Sequence, residues 1–181
     1  MMILVAIAVI YYYSLSANNK VKKSPKVKQV SEVNKLLNRD MEKNYPATPR
    51  EVVDLFSRYL VCYYGENLSD KQLREMVIQS RKMFDKELAD KTPLDTQIKN
   101  LKEDISKYKS RDNKITTYMV EDSSDVEIQT FDSHYYAKVD TVYYVKGKKG
   151  TYRSLETYTL RKDTDGKWKI LFWSITEIKE E

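Results

Sequence analysis

Residues 134–150 read His134-Tyr135-Tyr136-Ala137-Lys138-Val139-Asp140-Thr141-Val142-Tyr143-Tyr144-Val145-Lys146-Gly147-Lys148-Lys149-Gly150. The first thirteen are rich in aromatic and β-branched side chains, which favour extended backbone. At a period of two, Tyr135, Ala137, Val139, Thr141, Tyr143 and Val145 share one face of a long strand, and Tyr136, Lys138, Asp140, Val142, Tyr144 and Lys146 share the other. The glycines at 147 and 150 then predict a hairpin. Similar patterns predict strands near 115–121, 126–131, 150–162 and 167–178, with Asp163-Thr164-Asp165-Gly166 turning the last pair. Residues 168–175 are apolar on both faces in their middle, so that strand is expected to be central or covered on both sides.

Upstream of residue 114 the period changes from two to that of a helix. Thr48-Pro49-Arg50-Glu51 is a capping box with proline at the first helical position, and Val52, Phe56, Tyr59 and Tyr63 form one stripe that runs until Gly65. Ser69-Asp70-Lys71-Gln72 opens a second helix carrying Leu73, Met76, Val77, Phe84 and Leu88. Thr92-Pro93-Leu94-Asp95 opens a third, whose Leu94, Ile98, Leu101, Ile105 and Tyr108 make a regular apolar seam. Core packing is the ordinary explanation of such stripes. Helices first and an antiparallel meander afterwards define an α+β domain, with three helices packed on a sheet of four to five strands.

Outward from this domain, which is expected over 45–181, lie two further segments. Residues 1–15 are uncharged and apolar and end in three tyrosines, a side chain suited to membrane interfaces. Fifteen helical residues span about 22 Å, short of the roughly 30 Å hydrocarbon core. Residues 1–16 read first as a signal anchor with its start upstream; a secretory signal cleaved after Ser16 and a buried helix are the alternatives. Residues 17–44 are polar and lysine-rich and read as a linker, within which Val30, Val33, Leu37 and Met41 suggest a short helix that either packs on the domain or serves as a stalk.

Charge narrows the partners. The chain has 32 basic and 27 acidic residues. Lys20, Lys22, Lys23, Lys26 and Lys28 carry the whole excess, since removing them leaves 27 of each sign. A neutral domain lacks the basic footprint that phosphate contacts require, so nucleic acid is disfavoured. The same lysines, following the apolar run, favour a cytoplasmic position for what comes after it.

Motifs for chemistry are few. With one cysteine, Cys62, and one histidine, His134, neither a disulfide nor a His/Cys metal centre is available. No phosphate loop or cofactor signature is present. Glu121, Asp122 and Asp125 are read as a solvated turn in preference to a calcium loop. His134 paired with Asp132 or Asp140 is the catalytic candidate, with a polar surface turn as the competing reading. The 15 tyrosines exceed the needs of a plain core. Tyr136, Tyr143, Tyr144, Tyr158, Trp168 and Trp173 are therefore candidates for a ligand or partner surface, against ordinary packing on a two-sided sheet.

The helix order, the long hairpins and the closing Gly166-Lys167-Trp168-Lys169-Ile170 strand resemble the nuclear-transport-factor-2-like (cystatin-like) superfamily over about 45–181. That resemblance implies a bent sheet wrapped around a helix, enclosing a cone-shaped cavity. Asn44-Tyr45-Pro46-Ala47-Thr48-Pro49-Arg50-Glu51-Val52-Val53 also resembles the opening of a family of short, membrane-anchored bacterial proteins with no known chemistry, which implies an extracytoplasmic domain and opposes the lysine signal. The architecture is similar to the membrane-anchored scaffold components of type IV secretion machines. The expected function is thus a non-catalytic binding or scaffold module, through self-association or a membrane-protein partner. A small-molecule binder using the cone is the first alternative, and an isomerase- or dehydratase-like enzyme the second.

Overall fold

A long strand pairs along its whole length only if both neighbours match its register, and the 134–147 strand forms the spine of the sheet for that reason. The computed structural model describes residues 31–148 and 150–180. The apolar run at 1–16, the lysine cluster and the first part of the linker lie outside the described residues. Five strands, β1 (Lys114–Val120), β2 (Glu127–Phe131), β3 (His134–Gly147), β4 (Gly150–Lys162) and β5 (Trp168–Glu180), form one open antiparallel sheet. β1 and β2 lie end to end along one edge of β3, β4 pairs along its other edge, and β5 pairs with β4. The β2–β3 turn holds Asp132 and Ser133 both at positive φ, as a two-residue hairpin demands. Gly150 and Gly166 take the left-handed positions of the other two turns.

Among the described residues five helices precede the sheet: α1 (Glu32–Leu37), α2 (Pro49–Gly65), α3 (Asp70–Arg81), α4 (Lys86–Lys91) and α5 (Leu94–Ser110). α2 opens with the expected capping box, Thr48 accepting from the Glu51 amide and Glu51 reaching back. It is the central helix and packs against β1, β3 and β5. Its Val52, Val53, Phe56 and Tyr59 meet Ala137, Val139, Tyr143, Tyr158 and Ile170 in one core. The fold class is α+β, as the change of period predicts.

Three expectations are corrected. The domain begins before residue 45: Val33, Leu36 and Met41 are buried in the core, and the Tyr59 hydroxyl donates to the Leu36 carbonyl at 3.2 Å. Residues 31–44 are therefore packed domain and not free linker. The second helix does not run through Phe84 and Leu88. It stops at Arg81 because the Asp85 amide donates to the Ile170 carbonyl and the Ile170 amide to the Met83 carbonyl, both at 2.8 Å. Asp85 then caps a new helix, α4. Finally, β5 is an edge strand. The short bridge at Phe84 covers its edge only near Ile170, and Phe172, Trp173, Ile175 and Ile178 are exposed.

Candidate functional site

The seam on α5 explains where a site can form. Of Leu94, Ile98, Leu101, Ile105 and Tyr108, only Ile98 is buried. The others are half-buried, because α5 stands off from the sheet and leaves a gap beside α2. That gap is an open cleft of about 400 Å³. One wall is the α2 stripe Phe56, Leu60, Tyr63 and Tyr64, the other is Leu101 and Asp104 of α5, and Phe84, Leu88 and Trp173 close the end. Trp173 is 38% exposed and is held by aromatic neighbours. It stacks on Tyr158 with ring centroids 5.9 Å apart and meets Phe56 at 5.6 Å. Phe84 packs edge-on against Phe56 at 5.5 Å. At the far rim the Arg81 guanidinium holds the Thr92 and Ala89 carbonyls and the Gln97 amide oxygen, and so fixes the α4–α5 connection.

Beneath Trp173 a chain of hydroxyls crosses the core. Ser57 Oγ lies 2.7 Å from the Tyr143 hydroxyl, which lies 2.8 Å from the Tyr158 hydroxyl, and Tyr158 donates to Glu156 Oε2 at 3.1 Å. An ionised Glu156 can only accept, so it sets the direction of the chain: Tyr158 donates to it, Tyr143 to Tyr158 and Ser57 to Tyr143. Burial raises the Glu156 carboxyl above the ordinary glutamate value of 4.5, opposed by the hydrogen bonds from Tyr158 and Ser154. Burial likewise raises the phenols of Tyr143 and Tyr158. Across the sheet from Glu156 stands Thr141, which is 2% exposed. Its Oγ1 is buried without a hydrogen-bond partner among the described residues. A second paired phenol, Tyr118, donates to Asp54 Oδ1 at 3.0 Å.

The residues singled out in the sequence are distributed over both faces. Tyr143, Tyr158, Trp168 and Trp173 lie on the helix-covered face, and the register puts Tyr136 and Tyr144 on the opposite one. Tyr143, Tyr158 and Trp168 are buried. Trp168 is held at the other end of the sheet, where its carbonyl accepts from the Tyr45 hydroxyl at 2.7 Å. Trp173 alone of the six lines the cleft.

His134, Asp132 and Asp140 are not brought together as a proton-transferring group. His134 is exposed at the β2–β3 turn, and its Nδ1 contacts the Asp132 backbone oxygen at 2.6 Å, not the carboxylate. Asp140 stands six residues along β3, where it accepts from Thr157 Oγ1 at 2.6 Å. The Glu121 carboxylate accepts from the Asp140 amide at 2.8 Å, and the Asp125 amide closes a turn on the Asp122 carbonyl. Among the described residues no three His, Cys, Asp or Glu side chains gather as metal ligands. Cys62 is buried, and burial pushes its thiol up to about 11, unsuited to nucleophilic work.

Glu156, Ser57, Tyr64 and Asp104 are the site residues that sequence reasoning missed. A signal for Glu156 was present. It alternates with Ser154, Tyr158 and Leu160 on the inward face of β4, and a carboxylate at a core position calls for an explanation.

No curated protein matches the chain. Family comparison matches residues 1–173 to the family described as Domain of unknown function (DUF6715). That match spans nearly the whole sequence, so the chain belongs to this family.

Proposed function

We propose that this chain is a non-catalytic binding module of nuclear-transport-factor-2-like fold, anchored to a membrane through residues 1–16, that holds a small molecule in the aromatic cleft. The observation that carries the reading is the cleft itself. Its volume of about 400 Å³ falls within the usual range for small-ligand sites. Its walls are mostly apolar, with a few polar groups at the rim, which is how such sites combine affinity with orientation. The helix-then-meander order and the bulges between β4 and β5 suit the bent sheet of that superfamily. The apolar run and its tyrosines support the anchor. Among the described residues no helix is long and apolar enough to cross a membrane.

Fluorine NMR of the full chain labelled with 5-fluorotryptophan tests the cleft. The protein contains two tryptophans, only one of which lines the cleft. A low-molecular-weight extract of the native membranes is expected to move the Trp173 signal and leave that of Trp168 in place. Extracts that move neither signal, or both equally, would count against a ligand in the cleft.

A scaffold function is the second reading. Edge strands with uncovered backbone and exposed apolar side chains invite pairing, and β5 presents Trp173, Ile175 and Ile178 beside such an edge. Sedimentation of the full chain in detergent distinguishes the readings. A ligand module can remain monomeric, whereas a scaffold of this kind self-associates or co-purifies with a partner.

A further inference from the structure

Charge is balanced over the domain as a whole but not along it. Residues 107–114 hold four cations and one acid, and residues 146–153 hold four cations and no acid. The fold brings these two stretches together at one end of the sheet. Lys114 stands directly opposite Lys146, the Asn113 side-chain amide donates to the Tyr152 hydroxyl at 3.2 Å, and Lys148 reaches Asp112 at 3.2 Å. Register and alternation put Lys114, Lys146 and Arg153 on the sheet face away from the helices, and Lys179 of β5 stands opposite Arg153. Four cations thus cross four strands on one face, each opposite or diagonal to the next. Like charges set opposite one another work against a sheet, so packing does not account for the row. The acids nearby are few. Asp112 and Glu177 offset Lys148 and Lys179, and Glu66 caps the end of α2. Lys109, Arg111, Lys114 and Lys146 are exposed and enter no ion pair among the described residues.

Neighbouring strands lie about 5 Å apart, so the row is roughly 15 Å wide. That is too wide for one phosphate and suits a surface carrying many separate anions. The chain keeps such a surface within reach. Residues 1–16 are read as its membrane anchor, and residues 17–30 add five lysines and no acid. Fully extended, 17–30 span about 45–50 Å, and β4 is roughly 40 Å long, so either end of the domain can meet the headgroups. A tether of this kind makes the encounter effectively intramolecular. Resting on the reading of residues 1–16 as an anchor, we propose that the 107–114 and 146–153 end of the domain docks on anionic headgroups of the membrane that holds the chain.

The test uses the full chain in nanodiscs of phosphatidylcholine alone or mixed equally with phosphatidylglycerol, each with a trace of acceptor-labelled lipid. A donor dye is placed on Ser110→Cys, beside the patch, or on Thr164→Cys, at the opposite end of β4. Cys62 is buried and does not compete for the label. Phosphatidylglycerol is expected to raise energy transfer from position 110 and not from position 164, and high salt to reverse the rise. Lys114→Gln with Lys146→Gln, both at exposed positions, should lower the ratio of docked to undocked domain about fivefold per cation removed. Equal transfer in both lipids, an equal gain at both positions, or a gain that survives the double substitution overturns the docking. An oligonucleotide or acidic peptide that binds at this end, with no response to phosphatidylglycerol, overturns it as well. Flotation with phosphatidylcholine vesicles at high salt tests the anchor separately. A chain left in solution there refutes the anchor, and docking then stands or falls on whether the free chain binds phosphatidylglycerol vesicles through the Ser110 end.

Discussion

Removing one hydroxyl from the buried chain, by Tyr143→Phe, separates its hydrogen bonds from its packing. The ring stays, so no cavity opens and the cost is polar. Tyr143 and Ser57 are buried, and the substitution leaves Ser57 Oγ without its 2.7 Å partner. It also removes the donor to the Tyr158 hydroxyl at 2.8 Å, although Tyr158 still donates to Glu156. A buried group left unsatisfied costs about 1–3 kcal/mol. Ser57 sits in α2, where its hydroxyl can turn to the carbonyl one turn earlier, so the lower half of the range applies and the expected loss is about 1–2 kcal/mol. Ser57→Ala should cost about 1 kcal/mol alone. Made together, the two should cost less than their sum by about 1 kcal/mol, because one bond is lost only once. Urea unfolding of the full chain, followed by tryptophan fluorescence with unchanged m-values, measures all four corners of the cycle. Additivity within about 0.3 kcal/mol would show that Ser57 and Tyr143 do not share a bond, and the hydroxyl chain would have to be abandoned.

Three further outcomes follow from the same structure. Leu36→Ala should destabilise the domain by about 2–5 kcal/mol, since the side chain is fully buried; a loss under about 0.5 kcal/mol would return residues 31–44 to the linker. Asp85→Ala removes a helix cap and a two-bond ion pair to Arg161 at 2.7 and 3.0 Å. Arg161 keeps Glu87, so the expected cost by chemical unfolding is about 2–4 kcal/mol, and a near-neutral result would refute the role of Asp85 in joining the helices to the sheet. Because the folded-state carboxyl of Glu156 is raised, the native state binds more protons than the unfolded one above the ordinary glutamate value. Its contribution therefore declines as pH rises from about 4.5 through the folded-state value. Glu156→Gln should flatten that part of the stability profile and stabilise the protein at neutral pH; an unchanged slope would contradict the burial argument.

Capping boxes and alternation made most of the elements legible, because both are local. Thr48-Pro49-Arg50-Glu51 marks the start of α2, and the two faces of residues 135–145 are those the structure shows. What remained hidden depends on contacts across the chain. The stop after Arg81 is made by Ile170, nearly ninety residues away. The apolar middle of β5 reads as a central strand, yet its residues Trp173, Ile175 and Ile178 face a gap beside the helices. The α5 seam has the spacing of core and the burial of a cleft wall. His134 drew attention as the only histidine, whereas the polar site formed around Glu156, whose meaning depends on Tyr158, Tyr143 and Ser57 meeting it from two strands and a helix.

Native mass spectrometry of the full chain, released gently from detergent, tests the ligand cleft most directly. A retained low-molecular-weight species is expected, and Leu101→Trp, which fills the cleft from α5, should abolish it without unfolding the domain. A bare chain mass, or an adduct that survives the filled cleft, would contradict the account.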